Sequence, residues 1–292
     1  MRRPQIGSTG EVVKFKEREK TSEARAWDGK LTLQFSDTEP KLAALTVQKI
    51  DGIPTVYIAG DSTSTDQALE PYSGWGQMIT AFFKPEIAIA NNGESGESAR
   101  SFIRENRFAK IMSVIKPGDY LFIQFGHNDQ KEKGEGVGAF TTYKAALKQF
   151  VSETRQHGAT PVLITSMNRR TFDADGKITN SLGDYPAAMR QLAEEEKVAL
   201  IDLNAMSKTL YEVFGPEGSG KLFVPGDGTH HTDYGSYELA KCVAIEIKRA
   251  NLPIAKYLDS SVLNFDPAHP DPFESFDVPA DPVGTTARPY GS

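Results

Sequence analysis

From residue 54 onward the chain alternates between two patterns of apolar residues. TVYIA (55–59), EIAIA (86–90), DYLFIQF (119–125), TPVLITS (160–166) and VALIDL (198–203) are short, nearly continuous apolar runs. That is the pattern of strands buried on both faces. Between them lie longer stretches with apolar residues at helical spacing: SGWGQMITAFF (73–83), ESARSFIRENRFAKIMSVI (97–115), TTYKAALKQFVSETRQH (141–157), DYPAAMRQLAEEEK (184–197), NAMSKTLYEVFG (204–215) and DYGSYELAKCVAIEIKRAN (233–251). Strands alternating with helices predict a three-layer α/β/α sandwich. Five such strands fit an open, doubly wound parallel sheet with right-handed crossovers.

The flanks follow neither pattern. Residues 1–26 are polar and unpatterned, which predicts a weakly docked segment. KLTLQF (30–35) and ALTVQKI (44–50) read as an accessory pair of strands joined by a turn at SDTEPK. From Asn264 the chain is rich in Pro and Asp, which predicts an irregular tail lying along the surface. The expected division is an extension at 1–52, a catalytic-looking domain at 53–255 and a tail at 256–292.

Composition narrows the classes of function. Of 292 residues, 39% are hydrophobic and 25% charged, enough apolar material for a sizeable core. The net charge of −6 comes without a long basic run, which argues against a nucleic-acid partner. Cys242 is the only cysteine, so no intrachain disulfide or thiolate cluster can form. Its setting, YELAKCVAIEI, reads as that of a buried small hydrophobe. No apolar run approaches the roughly 18 residues that a membrane span needs. The charged N-terminus lacks the apolar segment of a secretory signal, so the expectations are a cytoplasmic protein or one whose signal was removed before this N-terminus.

In an open parallel sheet, ligands bind at the carboxyl ends of the strands. Here those ends read GDSTSTDQ, NNGESGESARSF, GHNDQ and SMNRR, and GDGTHHTDYG precedes the last helix. Together they suggest acyl transfer. Ser62 follows the first strand at a turn that can project its hydroxyl over the sheet edge. A serine hydroxyl needs a base near neutral pH, for which histidine is suited. His157 ends a surface helix, His269 lies in the tail and His127 sits inside GHND and needs a separate account, which leaves His230 and His231. Asp227 precedes His230 by three residues, close enough to hold the second ring nitrogen, and this spacing favours His230. A histidine base must be neutral to act, so activity is expected to fall in acid. Candidate oxyanion donors are the backbone N–H of Ser62, Gly96 and the side-chain amide of Asn128.

Other residues carry two readings each. Asp61 reads as a turn-former rather than an orienting acid. His127 either contacts substrate or holds its own loop. Trp75 either lines a sugar site or packs the first helix. Arg169 and Arg170 either meet a uronate carboxylate or stay solvated. The run Glu194–Glu196 reads as a solvated helix end.

GDS at Ser62, Gly96, GHND at Asn128 and DGTH at Asp227 and His230 resemble the four blocks of the SGNH, or GDSL, hydrolases. YIAGDST, SGWGQ, SARSF, GDYLFIQFGHNDQ and THHTDYG are similar to the rhamnogalacturonan acetylesterase branch of that family. The resemblance spans about residues 54–251. It implies a flavodoxin-like fold and removal of acetyl groups from pectin or a related polysaccharide, outside the cytoplasm. It also implies Ser62 as nucleophile, His230 as base, Asp227 as orienting acid, Gly96 and Asn128 as oxyanion donors, and no metal or organic cofactor. His231 lies outside the family's core motif. Competing expectations are a lipase or thioesterase on longer acyl chains, a metal-dependent phosphoesterase and a catalytically silent carbohydrate-binding protein. The first lacks an apolar lid, the second has few histidines to offer as ligands, and the third needs no triad.

Overall fold

A computed structural model describes residues 43–67, 69–278 and 284–291. Its centre is a parallel sheet of β1 (Thr55–Gly60), β2 (Ala88–Asn91), β3 (Tyr120–Gln124), β4 (Thr160–Ile164) and β5 (Ala199–Ile201), in the spatial order β2-β1-β3-β4-β5. Alternate side chains enter opposite cores. Val56, Ile58, Phe122, Val162 and Ile164 face one layer, and Ala59, Leu121, Ile123 and Leu163 face the other. Because both faces are covered, the strands read as continuous apolar runs.

The first layer holds α1 (Trp75–Met78), α6 (Leu203–Gly218) and α7 (Asp233–Arg249). The second holds α2 (Ala99–Arg104), α3 (Arg107–Met112), α4 (Lys144–Gln156) and α5 (Tyr185–Glu196). The longest helix, α7, is capped by Thr232, whose hydroxyl accepts from Gly235 N at 3.3 Å, and carries Lys248 and Arg249 in its last turn. Both features suit the exposed peptide groups and dipole of helix ends. Cys242 lies buried in α7, and burial pushes its thiol pKa up, so it packs as a hydrophobe. No helix among the described residues is long and apolar enough to cross a membrane.

The strand order places a switch point at β1 and β3. The connection after β1 leads to α1 on one face, and the one after β3 leads to α4 on the other. The two loops part and leave a crevice above the carboxyl ends of these strands.

Three expectations need correction. The single helix expected over 97–115 is two, because Asn106 adopts a left-handed backbone (φ 60°) between α2 and α3. Residues 44–50 form no strand: they carry no regular structure, Leu45, Val47 and Ile50 are exposed, and they pair with no described strand. Their expected partner at 30–35 lies outside the described residues. The tail does more than lie along the surface. Asp271 accepts from Tyr234 Oη through its carbonyl and meets Lys241 Nζ at 2.8 Å through its carboxylate, which anchors the tail on α7. Residues 284–291 then return to the crevice.

Candidate active site

The end of β1 is built as a tight turn. Asp61 O accepts from Ser64 N and Thr65 N, both at 3.1 Å. Asp61 Oδ1 accepts from Thr63 N at 2.9 Å and Thr63 Oγ1 at 2.7 Å, which makes Asp61 the turn-forming residue. A Cβ at Gly60 would fall 2.2 Å from Ser64 Oγ and 2.9 Å from Gln124 O, so only glycine lets the strand pass this corner. Gln124, at the end of β3, braces the turn from below. Its Oε1 accepts from Thr63 Oγ1 at 3.1 Å and from the Trp75 indole at 3.2 Å. The result holds Ser62 at the crevice floor, 5% exposed.

The second wall is the segment between α6 and α7. Asp227 Oδ1 accepts from the backbone N–H groups of Thr229 (2.7 Å) and His230 (3.0 Å), which folds the DGTH turn. That turn sets Asp227 Oδ2 2.8 Å from His230 Nδ1. On its far side, His230 Nε2 lies 2.9 Å from Ser62 Oγ. The turn is pinned to the serine loop by Ser73 N donating to His231 O at 3.0 Å. Tyr72 meets the His230 ring edge-on at 5.7 Å. Burial alone would push the Asp227 carboxyl up, but the His230 ring and the two backbone donors outweigh it and hold Asp227 well below the usual carboxylate range. Asp227 therefore stays anionic, able to fix the imidazole tautomer and to stabilise an imidazolium.

Gly96 and Asn128 meet on the third side. Gly96 has φ 84°, a left-handed backbone that glycine adopts without strain. Asn128 Nδ2 donates to Glu97 O at 3.0 Å, which seats the amide against the loop that carries Gly96. Asn128 lines the same crevice as Ser62, so its amide and the loop of Gly96 stand on the side of the crevice facing the serine turn.

The crevice encloses about 190 Å³. Ser62, Asn128, Asp227 and His230 line it, with His127 and Thr229 beside them. Lys131, Arg169 and Arg288 complete the wall. No lining residue is aliphatic or aromatic apart from the imidazoles. His127 is buried, with Nε2 3.3 Å from Met167 Sδ, and burial holds its pKa well below the ordinary value, so it stays neutral. Arg169 is held by Gln130 Oε1 (2.6 Å), Ser181 O (3.1 Å), Thr229 Oγ1 (3.2 Å) and His127 O (3.3 Å).

Other candidates lie elsewhere. Trp75 is fully buried under the serine loop, out of reach of a sugar. His231 is also fully buried, with Nε2 2.8 Å from Tyr211 Oη, and burial drops its pKa to about 3. Arg170 turns away to Ser219 Oγ (3.0 Å) and Pro216 O (2.6 Å). Sequence reasoning missed Lys131 and Arg288. Lys131 stands three residues after Asn128 and could have been flagged by that proximity. Arg288 carries no signal, since nothing in the tail's composition says where it docks. Among the described residues, no group of three or more His, Cys, Asp or Glu is arranged to hold a metal ion.

The family model described as "GDSL-like Lipase/Acylhydrolase family" matches residues 58–236. Rhamnogalacturonan acetylesterase RhgT of Bacillus subtilis is 42% identical over 220 residues, covering 70% of this chain and 94% of that protein. The rhamnogalacturonan acetylesterase of Emericella nidulans is 30% identical over 207 residues, 64% of this chain and 81% of that protein. Among solved structures, protein YxiM of Bacillus subtilis superposes with a TM-score of 0.63 at 30% identity, over 69% of this chain and 58% of that longer one. The acetylxylan esterase Axe2 of Geobacillus stearothermophilus shares the fold, with a TM-score of 0.53 at 19% identity over 66% of this chain and 94% of that one. The bonds from Ser62 to His230 and from His230 to Asp227, at the carboxyl end of the sheet, agree with the family match and with the 42% identical relative: the chain belongs to the GDSL-like lipase/acylhydrolase family and is a carboxylic ester hydrolase.

Proposed function

We propose that this enzyme removes O-acetyl groups from a cell-wall polysaccharide of the rhamnogalacturonan or pectin type. The observation that carries the reading is the unbroken chain from Ser62 Oγ through His230 to Asp227, opening on a small cavity lined by polar and charged residues. Ser62 gives its proton to His230 Nε2 as its oxygen bonds to the acetyl carbonyl carbon. The carbonyl oxygen becomes an oxyanion held by the Ser62 N–H, Gly96 and Asn128, donors worth about 3–4 kcal/mol each when removed singly. Collapse breaks the bond to the sugar oxygen, which takes the proton from His230 and leaves as the free hydroxyl. Water then gives a proton to His230 as it attacks the acetyl-serine carbonyl, and collapse breaks the bond to Ser62 Oγ, which takes that proton back from His230 as acetate leaves. Relatives named rhamnogalacturonan acetylesterase support the substrate class.

The cavity favours acetyl over longer acyl chains. Its volume of about 190 Å³ lies below the roughly 300–1,000 Å³ of pockets for drug-sized ligands. Its wall offers charged and polar groups where an acyl tail would need apolar ones. Cell-wall polysaccharide is met outside the cytoplasm, so the working place is secreted or periplasmic. Acetate release from acetylated pectin, acetylated xylan and aryl acetate and octanoate esters tests the reading. Pectin is expected to lead among the polysaccharides and acetate to exceed octanoate. Octanoate as the better ester, or no release from any polysaccharide, overturns it.

A further inference from the structure

Residues 284–291 lie beyond the stretch matched by the family model, yet one of them, Arg288, lines the crevice. Gly284 bridges to Glu70, and Thr285 N donates to Glu70 O at 2.6 Å, which fixes the segment at the loop after Ser62. Arg288 Nη2 donates to Gly226 O at 3.1 Å beside the DGTH turn. At the far end, Lys131 Nζ donates to Gly291 O at 2.7 Å. A Cβ at Gly96 would fall 2.7 Å from Tyr290 Cδ1, so the segment lies directly on the oxyanion loop. It therefore touches all three walls of the site.

We propose that this C-terminal segment is a specificity element, and that Arg288 binds the carboxylate of a uronic-acid unit in the polysaccharide. The inference rests on the acetylesterase reading above and names the group that selects the chain being deacetylated. Its basis is a charge imbalance. Lys131, Arg169 and Arg288 line the cavity together with one ionised carboxylate, Asp227. That carboxylate is already engaged by the His230 ring and two backbone donors, and Arg288 Nε stands 4.0 Å from it. A guanidinium has five N–H donors in a fork that fits a carboxylate. Among the described residues, Arg288 makes one hydrogen bond and its Nε faces Asp227, which leaves other donors of the fork for a ligand at the cavity it lines. Its side chain is 61% exposed, the position of a group that meets a polymer along the rim and not the acetyl group at the floor.

The test is the ratio of kcat/KM on an acetylated uronide oligosaccharide to that on an uncharged acetylated xylo-oligosaccharide. Arg288→Gln is expected to lower this ratio about tenfold, mainly through the KM for the uronide, a size suited to a charge-assisted bond at an exposed rim. Arg288→Lys is expected to restore part of it, since charge remains and the fork is lost. Added salt is expected to shrink the wild-type preference, because rim charges are screened within about 8 Å at 0.15 M. Arg249→Gln, which removes the same charge from the end of α7, is expected to leave the ratio in place. An unchanged ratio in Arg288→Gln, an equal fall in Arg249→Gln, or an effect confined to inhibition by product acetate overturns the proposal. A wild-type enzyme that deacetylates both oligosaccharides without preference sinks this inference alone. A wild-type enzyme that deacetylates neither sinks the acetylesterase reading instead.

Discussion

His230 and His231 are neighbours in the chain and belong to different regions of the molecule. His230 looks into the crevice, between Ser62 Oγ at 2.9 Å and Asp227 Oδ2 at 2.8 Å. His231 looks into the core, bonded to Tyr211 and packed on the Phe223 ring at 4.4 Å. Extended backbone sends successive side chains to opposite sides, so two isolated bridges at His231, to Ser73 and to Phe223, sort the two rings. The same contrast divides two carboxyls. Asp227, in the crevice, accepts three hydrogen bonds and stays well below the ordinary range. Asp129, one residue after Asn128 and fully buried, accepts from Ala99 N at 2.9 Å through Oδ1 while its Oδ2 has no partner. Burial, aided by Glu132, raises its pKa to about 8, so it is protonated at neutral pH. Asp129 is buried more deeply and has fewer donors, and the two effects together keep it neutral where Asp227 carries charge.

The contrast can be broken most severely on the crevice side. Ser62→Ala is expected to lower kcat on 4-nitrophenyl acetate by about 10⁴-fold or more, with a melting temperature close to wild type. Substantial remaining turnover would defeat the assigned nucleophile. His230→Ala is expected to match that loss, and Asp227→Asn to approach it by releasing the imidazole tautomer. Asn128→Ala is expected to cost about 10²–10³-fold in kcat, the cost of one oxyanion donor; a loss seen only in KM would assign the amide to substrate binding instead.

On the core side the readout changes from rate to stability. His231→Ala removes a buried ring and leaves the Tyr211 hydroxyl without its partner, a destabilisation of about 2–4 kcal/mol by chemical denaturation. The folded fraction is expected to keep its turnover. A loss of kcat like that of His230→Ala would place His231 in the reaction. The smallest effect expected is a change of slope. Between the usual carboxyl value of 3.8 and about 8, folded Asp129 holds a proton that the unfolded chain has released. Its contribution to stability therefore falls as pH rises through that window. Asp129→Asn keeps an acceptor for Ala99 N and cannot ionise, so the fall in melting temperature from pH 4 to 8 is expected to flatten. Equal slopes in variant and wild type would show that Asp129 is ionised in the native state.

Much of this was legible in one dimension. The five apolar runs became the five strands with shifts of a residue or two, because a strand covered on both faces must be apolar along its length. Ser62 could be nominated because it follows a parallel strand, and Asp227 and His230 because an acid three residues before a histidine is a local motif. Illegible were features with no local cause. Asn106 breaks a helix whose periodicity runs on unbroken. Gln124 reads as a strand residue and serves as the brace under the serine turn. Trp75 had two readings until its burial chose one.

The sequence by itself determined the layers and nominated Ser62, Asp227 and His230, because periodicity and turn chemistry act between residues close along the chain. Only the tertiary structure decided that Lys131 and Arg169 face the same cavity, that His231 does not, and that a tail of Pro and Asp brings Arg288 to its rim. Those placements depend on contacts between segments far apart along the chain, such as Thr285 with Glu70 and Gly291 with Lys131, and no local pattern encodes where a distant segment will dock.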